Sequence, residues 1–204
     1  MRHSNRRRYL PFLLFGAIAL ISFTRPVKFV NDFSLLNVNG KYVSLKDYPD
    51  AKGFIIVFTC NHCPFARLYP ARMNALNKKY ASLGVPLIAI SSSDTVSYED
   101  DTYPAMAATA KQENYNFPYL FDGTQKVAEN FAAQKTPNAF VIWKENGQWA
   151  VKYTGAIDDN GAEPDKVTHA YVQDAVDELL KGDTVSLAAT RSVGCQIQFR
   201  ATGK

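Results

Sequence analysis

Basic side chains are scarce where a nucleic-acid-binding surface would need them. Of 23 Lys and Arg, Arg2, Arg6, Arg7 and Arg8 fall in the first eight residues, and the remainder balance 19 acidic side chains. A nucleic-acid partner wants a basic stripe on the folded body, and the body here is close to neutral. Histidine is as rare: His3 belongs to the N-terminal segment, His62 lies between two cysteines, and His169 falls on a late helical stretch. That is a thin set for a metal site, so no metal and no cofactor are expected. The chain also lacks an apolar run as long as the roughly 20 residues of a membrane span, since Tyr9–Phe23 offers about 15. No small-x-small cleavage site ends that run, and no lipobox cysteine follows it. Internal repeats are absent. What is left is 47% hydrophobic and 21% charged, the balance of a folded domain rather than a disordered chain.

A basic segment, RHSNRRR, ahead of YLPFLLFGAIALISF is the pattern of an export signal or signal anchor. Residues 1–26 are therefore expected to form a signal peptide or an N-terminal membrane anchor. Residues 27–183 should form the domain, and 184–204 a tail packed on it. Arginines retained in the cytoplasm place the domain outside it, in the periplasm or cell envelope. Disulfide chemistry is permitted there.

Along the domain, Val27 to Asp50 contains an Asn39-Gly40 turn between apolar flanks, a β-hairpin cue. Phe54–Phe58 and Val85–Ser91 are continuous apolar runs, as in strands buried on both faces. Pro64–Ser82 reads as a helix kinked at Pro70. Asp94–Asn116 reads as a second helix, with Ser91-Ser92-Ser93-Asp94 as its turn and cap. Tyr119–Phe121 is a short strand and Thr124–Ala133 a helix. Ala139–Trp143 and Trp149–Tyr153 form a hairpin across Glu145-Asn146-Gly147. Thr168–Lys181 is an amphipathic helix stopped by Gly182. Strands separated by helices should run parallel and the hairpin antiparallel. The fold expected is α/β, a central mixed sheet flanked by helices with an N-terminal β-hairpin extension.

The chemistry sits in TCNHCPFARLYP, Thr59–Pro70, where Cys60 and Cys63 are two residues apart at the end of a buried strand. That spacing lets one sulfur close on the other, and a helix N-terminus favours thiolate. Cys60 is expected to be the exposed nucleophile and Cys63 the resolving thiol. His62, beside the nucleophile, should stabilise the reduced thiolate and make the disulfide a better oxidant. Protein disulfide isomerase and the periplasmic disulfide oxidase also carry His before the second cysteine. Their potentials are about −180 and −120 mV against about −270 mV for thioredoxin, and a value above thioredoxin's is expected here. Far along the chain, Thr136-Pro137 precedes the strand AFVIW. In the thioredoxin fold, which this order of motifs resembles, a Thr-Pro pair with a cis bond faces the disulfide, so Thr136, Pro137 and Phe65 are expected to line a peptide-binding surface. Phe65 and Tyr69 fit either a peptide groove or core packing, and Arg67 either keeps the site electropositive or serves the surface.

FIIVFTCNHCPFARLY, VPLIAISSSD, FPYLFDGTQKVAENFAAQKTPNAFVI and YTGAIDD together resemble the thioredoxin-fold redoxins, close to their AhpC/TSA (peroxiredoxin-like) and TlpA-like branches. The resemblance runs from about Val27 to Gly182. It implies a thiol-disulfide oxidoreductase that exchanges disulfides with protein thiols and is recycled by an upstream redox partner. The P-x-x-x-[ST]-x-x-C motif of peroxide-reducing relatives is missing. Counted from Cys60 its positions hold Gly53 and Val57, and from Cys63 they hold Ile56 and Cys60. Peroxidase chemistry is thus an alternative that kinship alone does not supply. Copper-delivery modules of the Sco type share the fold but use C-x-x-x-C-P with a distant His, against the C-x-x-C here. Cys195 is either a third redox thiol or a small buried hydrophobe. Asp158-Asp159-Asn160 lacks the Gly and distal Glu of a calcium loop and reads as a solvated loop.

Overall fold

The computed structural model describes residues 28–200. The expected signal or anchor over 1–26 lies outside that range. No helix among the described residues is long and apolar enough to cross a membrane.

The centre is β4, Gly53–Phe58, all six residues of which are buried. A strand can be apolar throughout only when both faces of its sheet are covered. Side chains alternate across the pleat. Ile55 and Val57 face one core with Met73, Leu76 and Tyr80, and Phe54, Ile56 and Phe58 face another with Val127, Ala128 and Phe131. β4 pairs in parallel with β5, Leu87–Ser91, which pairs in parallel with β6, Tyr119–Phe121. On its other side β4 meets β8, Asn138–Glu145, antiparallel, and β8 continues into β9, Gln148–Gly155. β1, Phe29–Val30, closes that edge against β9. The hairpin β2, Ser34–Asn37, and β3, Tyr42–Ser44, closes the other against β6. A second, two-stranded sheet pairs β7, Lys135–Thr136, with β10, Cys195–Gln196. The mixed sheet with flanking helices and an N-terminal hairpin is the thioredoxin fold that the motifs imply.

Helices α1, Pro70–Tyr80, and α4, Tyr171–Lys181, cover one face together with α2, Tyr103–Gln112. α3, Lys126–Phe131, covers the opposite face. α4 stops at Gly182, whose φ of 86° is left-handed, as its position in the sequence suggests.

All four predicted helices are shorter than expected, α3 and α4 by a few residues and α1 and α2 by most of a predicted first half. α1 starts at Pro70, which is the first helical residue and not a kink. Proline loses nothing there because a first-turn N–H has no helical partner. Residues between Cys63 and Pro70 form a turn and a 3-10 segment, Ala66–Leu68. The Asp94–Asn116 prediction contracts to α2, preceded by a 3-10 turn, Glu99–Asp101. The serine run therefore caps no helix. Ser91 ends β5, and Ser92 donates to buried Asp122 at 2.8 Å. Asp158 is not solvated either. It is 6% exposed and accepts from Arg72 Nη1 at 2.7 Å and from the Tyr69 hydroxyl at 3.2 Å.

Candidate active site

The two cysteines leave the C-terminal end of β4, where the Thr59 N–H still donates to the Ile90 carbonyl at 2.9 Å. Ends of adjacent parallel strands are where α/β sheets open toward ligands. Three elements meet at this point: the cysteine loop, the segment after β5 that carries Asp101, and Thr136-Pro137 just before β8. The Thr136-Pro137 bond is cis.

The loop is tied down on every side. Asp101, fully buried, accepts the backbone N–H of Asn61 at 2.5 Å and of His62 at 3.3 Å. The Asn61 side chain donates to the Asp100 carbonyl at 2.7 Å and accepts from the Tyr119 hydroxyl at 3.2 Å. Arg67 donates from Nε to the Asn61 carbonyl at 2.5 Å, and its Nη2 reaches Asp100 at 3.1 Å. Arg67 thus ties the loop to an exposed carboxylate.

His62 bridges two of these groups. Its Nδ1 bonds Asp101 Oδ2, and its Nε2 stands 4.0 Å from Cys60 Sγ. The ring stacks on Tyr98 with centroids 3.7 Å apart and planes 5° from parallel. A carboxylate on Nδ1 favours the tautomer that carries the proton there and turns the free Nε2 lone pair toward sulfur. The arrangement is cysteine, imidazole and carboxylate in series, the grouping by which a base and its orienting partner activate a nucleophile.

The sequence predicts an exposed Cys60, but the thiol is only 4% exposed, and Cys63 is fully buried. Of the two, Cys60 borders a cleft of about 410 Å³ with Asn61, Arg67 and Asp100. Cys60 Sγ lies 3.0 Å from Thr136 Oγ1, and the Cys63 thiol donates to the Thr136 carbonyl at 3.1 Å. Because α1 begins at Pro70, the expected helix terminus does not reach the sulfurs. Hydrogen bonds take its place. Hydrogen bonding with Cys60 brings Cys63 down to about 4 against the burial that raises it, with the Cys195 side chain and the N–H groups of Ala66 and Cys195 assisting. The same shared proton, with burial, pushes Cys60 well above the ordinary thiol range. The Thr136 carbonyl beside Cys63 disfavours a charge resting on that sulfur alone. The first ionisation therefore belongs to the pair and not to either sulfur alone.

Cys195 joins them from the other end of the chain. Its N–H donates to Cys63 Sγ at 3.4 Å, and its side chain packs on the Cys60, Cys63 and Ala66 cluster. All three cysteines are free thiols. Phe65 is 44% exposed and borders a second cleft, about 470 Å³, with Leu68, Pro137 and Val193, while Tyr69 is buried beneath it. His169 stacks on Tyr171 at the start of α4.

Cys60, His62 and Asp101 present a sulfur, an imidazole nitrogen and a carboxylate oxygen within 4.8 Å of one another. An ion taken by all three would have to break the His62–Asp101 hydrogen bond. The donors as they stand are arranged for a proton. Sequence reasoning missed Asp101, Tyr98 and Asn61. Pro104 was the available signal for Asp101, because proline in a first helical turn places the preceding acids outside the helix.

The sequence model of the AhpC/TSA family matches residues 27–159. The thiol-disulfide oxidoreductase ResA of Bacillus cereus is 28% identical over 114 residues, 56% of this chain and 61% of that protein. The chain thus aligns with about three-fifths of the length of such curated relatives. A hypothetical protein of Sinorhizobium meliloti 1021 superposes with a TM-score of 0.79 at 30% identity, over 88% of this chain and 97% of that one. The exposed lipoprotein thioredoxin of Streptococcus pneumoniae strain TIGR4 shares the fold, with a TM-score of 0.55 at 20% identity, over 74% of this chain and 99% of that one.

Proposed function

The chain belongs to the AhpC/TSA family, and we propose that it is a thiol-disulfide oxidoreductase in which Cys60 attacks and Cys63 resolves. The observation that carries this reading is the Cys60–Cys63 pair itself. Two free thiols lie two residues apart at a strand end, both against Thr136, with His62 aimed at the less buried one. Cys60 thiolate attacks one sulfur of a substrate disulfide, forming a mixed disulfide and expelling the substrate's other sulfur as thiolate. Cys63 then attacks Cys60, closing the Cys60–Cys63 disulfide and releasing the substrate as a dithiol. Electrons travel on sulfur, so the cycle needs no cofactor. An upstream dithiol partner returns the pair to the reduced state.

His62 accepts the thiol proton during attack, and Asp101 holds the ring for it. Phe65 and Pro137 border the apolar cleft in which the flank of a protein substrate would lie. The N-terminal segment directs or anchors this domain outside the cytoplasm, where protein disulfides are the available substrates.

The test is reduction of insulin disulfides alongside exposure of the reduced protein to hydrogen peroxide. Cys60→Ser should abolish insulin reduction. Thiol loss to peroxide should be slow and unselective. Full insulin reduction by Cys60→Ser contradicts the assignment. Fast, selective sulfenic acid at Cys60 would make the protein a peroxidase instead.

A further inference from the structure

The chain's last described segment returns to the redox pair along a fixed track. β10 runs antiparallel to β7 with Cys195 opposite Thr136, the residue whose carbonyl and hydroxyl touch Cys63 and Cys60. Ile197 N–H donates to the Gln134 carbonyl at 2.8 Å, and its side chain is buried in the core beneath α3. Gln125 ties down the next turn, donating to the Gln198 carbonyl at 2.7 Å and accepting the Arg200 N–H at 2.8 Å. Arg200 Nε reaches Asp94 at 2.9 Å. A Cβ on Gly194 would collide with the Thr136 carbonyl, so glycine there lets the tail backbone lie directly on this strand. These contacts fix the register that puts Cys195 against Cys63.

We propose that Cys195 is a third catalytic thiol, which takes the disulfide from the pair by attacking Cys63. This rests on the dithiol reading above and extends it. After a substrate has been reduced, Cys60 and Cys63 are joined. Cys195 sulfur attacks Cys63 sulfur; the Cys63–Cys195 bond forms, the Cys60–Cys63 bond breaks, and the proton of Cys195 ends on Cys60. No electrons are gained or lost, because one disulfide replaces another. Burial, a hydrogen bond with Cys63 and the Cys63 charge push the Cys195 thiol up to about 11 while the pair is reduced. Oxidation of the pair removes the latter two restraints, so Cys195 is freed as a nucleophile when there is a disulfide to attack.

The exchange gives the protein two doors. Cys60 is returned, reduced, to its cleft. The oxidised bond moves to a sulfur on the half-buried tail, where a recycling dithiol protein can attack Cys195. Cys63, fully buried, never has to meet an outside partner.

Full-length reduced protein is treated with one equivalent of oxidised glutathione, quenched in acid, alkylated, and mapped by mass spectrometry. The expected result is a peptide linking Cys63 to Cys195, with Cys60 alkylated in those molecules, beside a Cys60–Cys63 population. Cys195→Ser should lose the Cys63–Cys195 peptide entirely and retain the Cys60–Cys63 bond. Gly194→Ala, which displaces the tail, should deplete the Cys63–Cys195 peptide without removing the other. Wild-type protein that yields only Cys60–Cys63, or Cys195 bonded only to glutathione, overturns the inference and leaves the dithiol reading standing. Cys195→Ser protein that forms no Cys60–Cys63 bond contradicts the dithiol reading itself.

Discussion

His62 touches Asp101 with one ring nitrogen and faces Cys60 with the other, so a buried carboxylate sets the behaviour of a thiol it does not touch. Asp101→Asn keeps the size and can still accept from the Asn61 N–H, but loses the charge that orients the ring. The expected outcome is a fall of about 10- to 100-fold in the rate at which Cys60 attacks a small disulfide at neutral pH, within the range for losing general-base assistance. The circular dichroism spectrum should be unchanged. An unaltered rate would make the Asp101 contact purely structural. Cys60, Cys63 and His62 were legible because their chemistry is local in sequence. Asp101 was not: Pro104 places the acids before it outside the helix, but nothing in the run says which of their carboxylates folds inward.

At the scale of elements, the strand–loop–helix unit that carries the pair is held from both ends. Phe58 closes β4 between the rings of Phe131 and Phe140, at centroid distances of 5.4 and 5.7 Å, and is fully buried. Phe58→Ala should cost about 3–5 kcal/mol, read as a lower urea midpoint at unchanged slope. At the other end, α1 is tied to the loop after β9 by Arg72, which donates to Asp158, to the Asn160 carbonyl at 2.9 Å and to the Gly161 carbonyl at 2.5 Å. Arg72→Met removes one partner of a largely buried pair and strands Asp158. About 3 kcal/mol or more should be lost, again by urea unfolding. The buried strands were readable as apolar runs bounded by turns. The start of α1 was misread because apolar spacing continues through the 3-10 turn Ala66–Leu68, and that of α2 because the acidic 3-10 turn Glu99–Asp101 has the charge of a first helical turn. In both places proline marks the true first turn.

For the whole molecule, alternation of strands with helices foretold a parallel β4-β5-β6 core with an antiparallel β8-β9 flank, since connection length restricts strand direction. The return of residues 194–197 to Thr136 was not foretold, because a two-residue strand pairing across the length of the chain leaves no periodic trace. Whole-molecule redox behaviour follows from the environment of the pair. Hydrogen bonds that favour thiolate stabilise the reduced state, so the disulfide should be more oxidising than that of thioredoxin, above about −270 mV in glutathione buffers. The most direct test of the central claim is to mix Cys63→Ser protein with an oxidised protein substrate and locate any trapped adduct. The account predicts that a mixed disulfide accumulates on Cys60, because the thiol that would release it is gone. No adduct, or an adduct on Cys195 in place of Cys60, would contradict it.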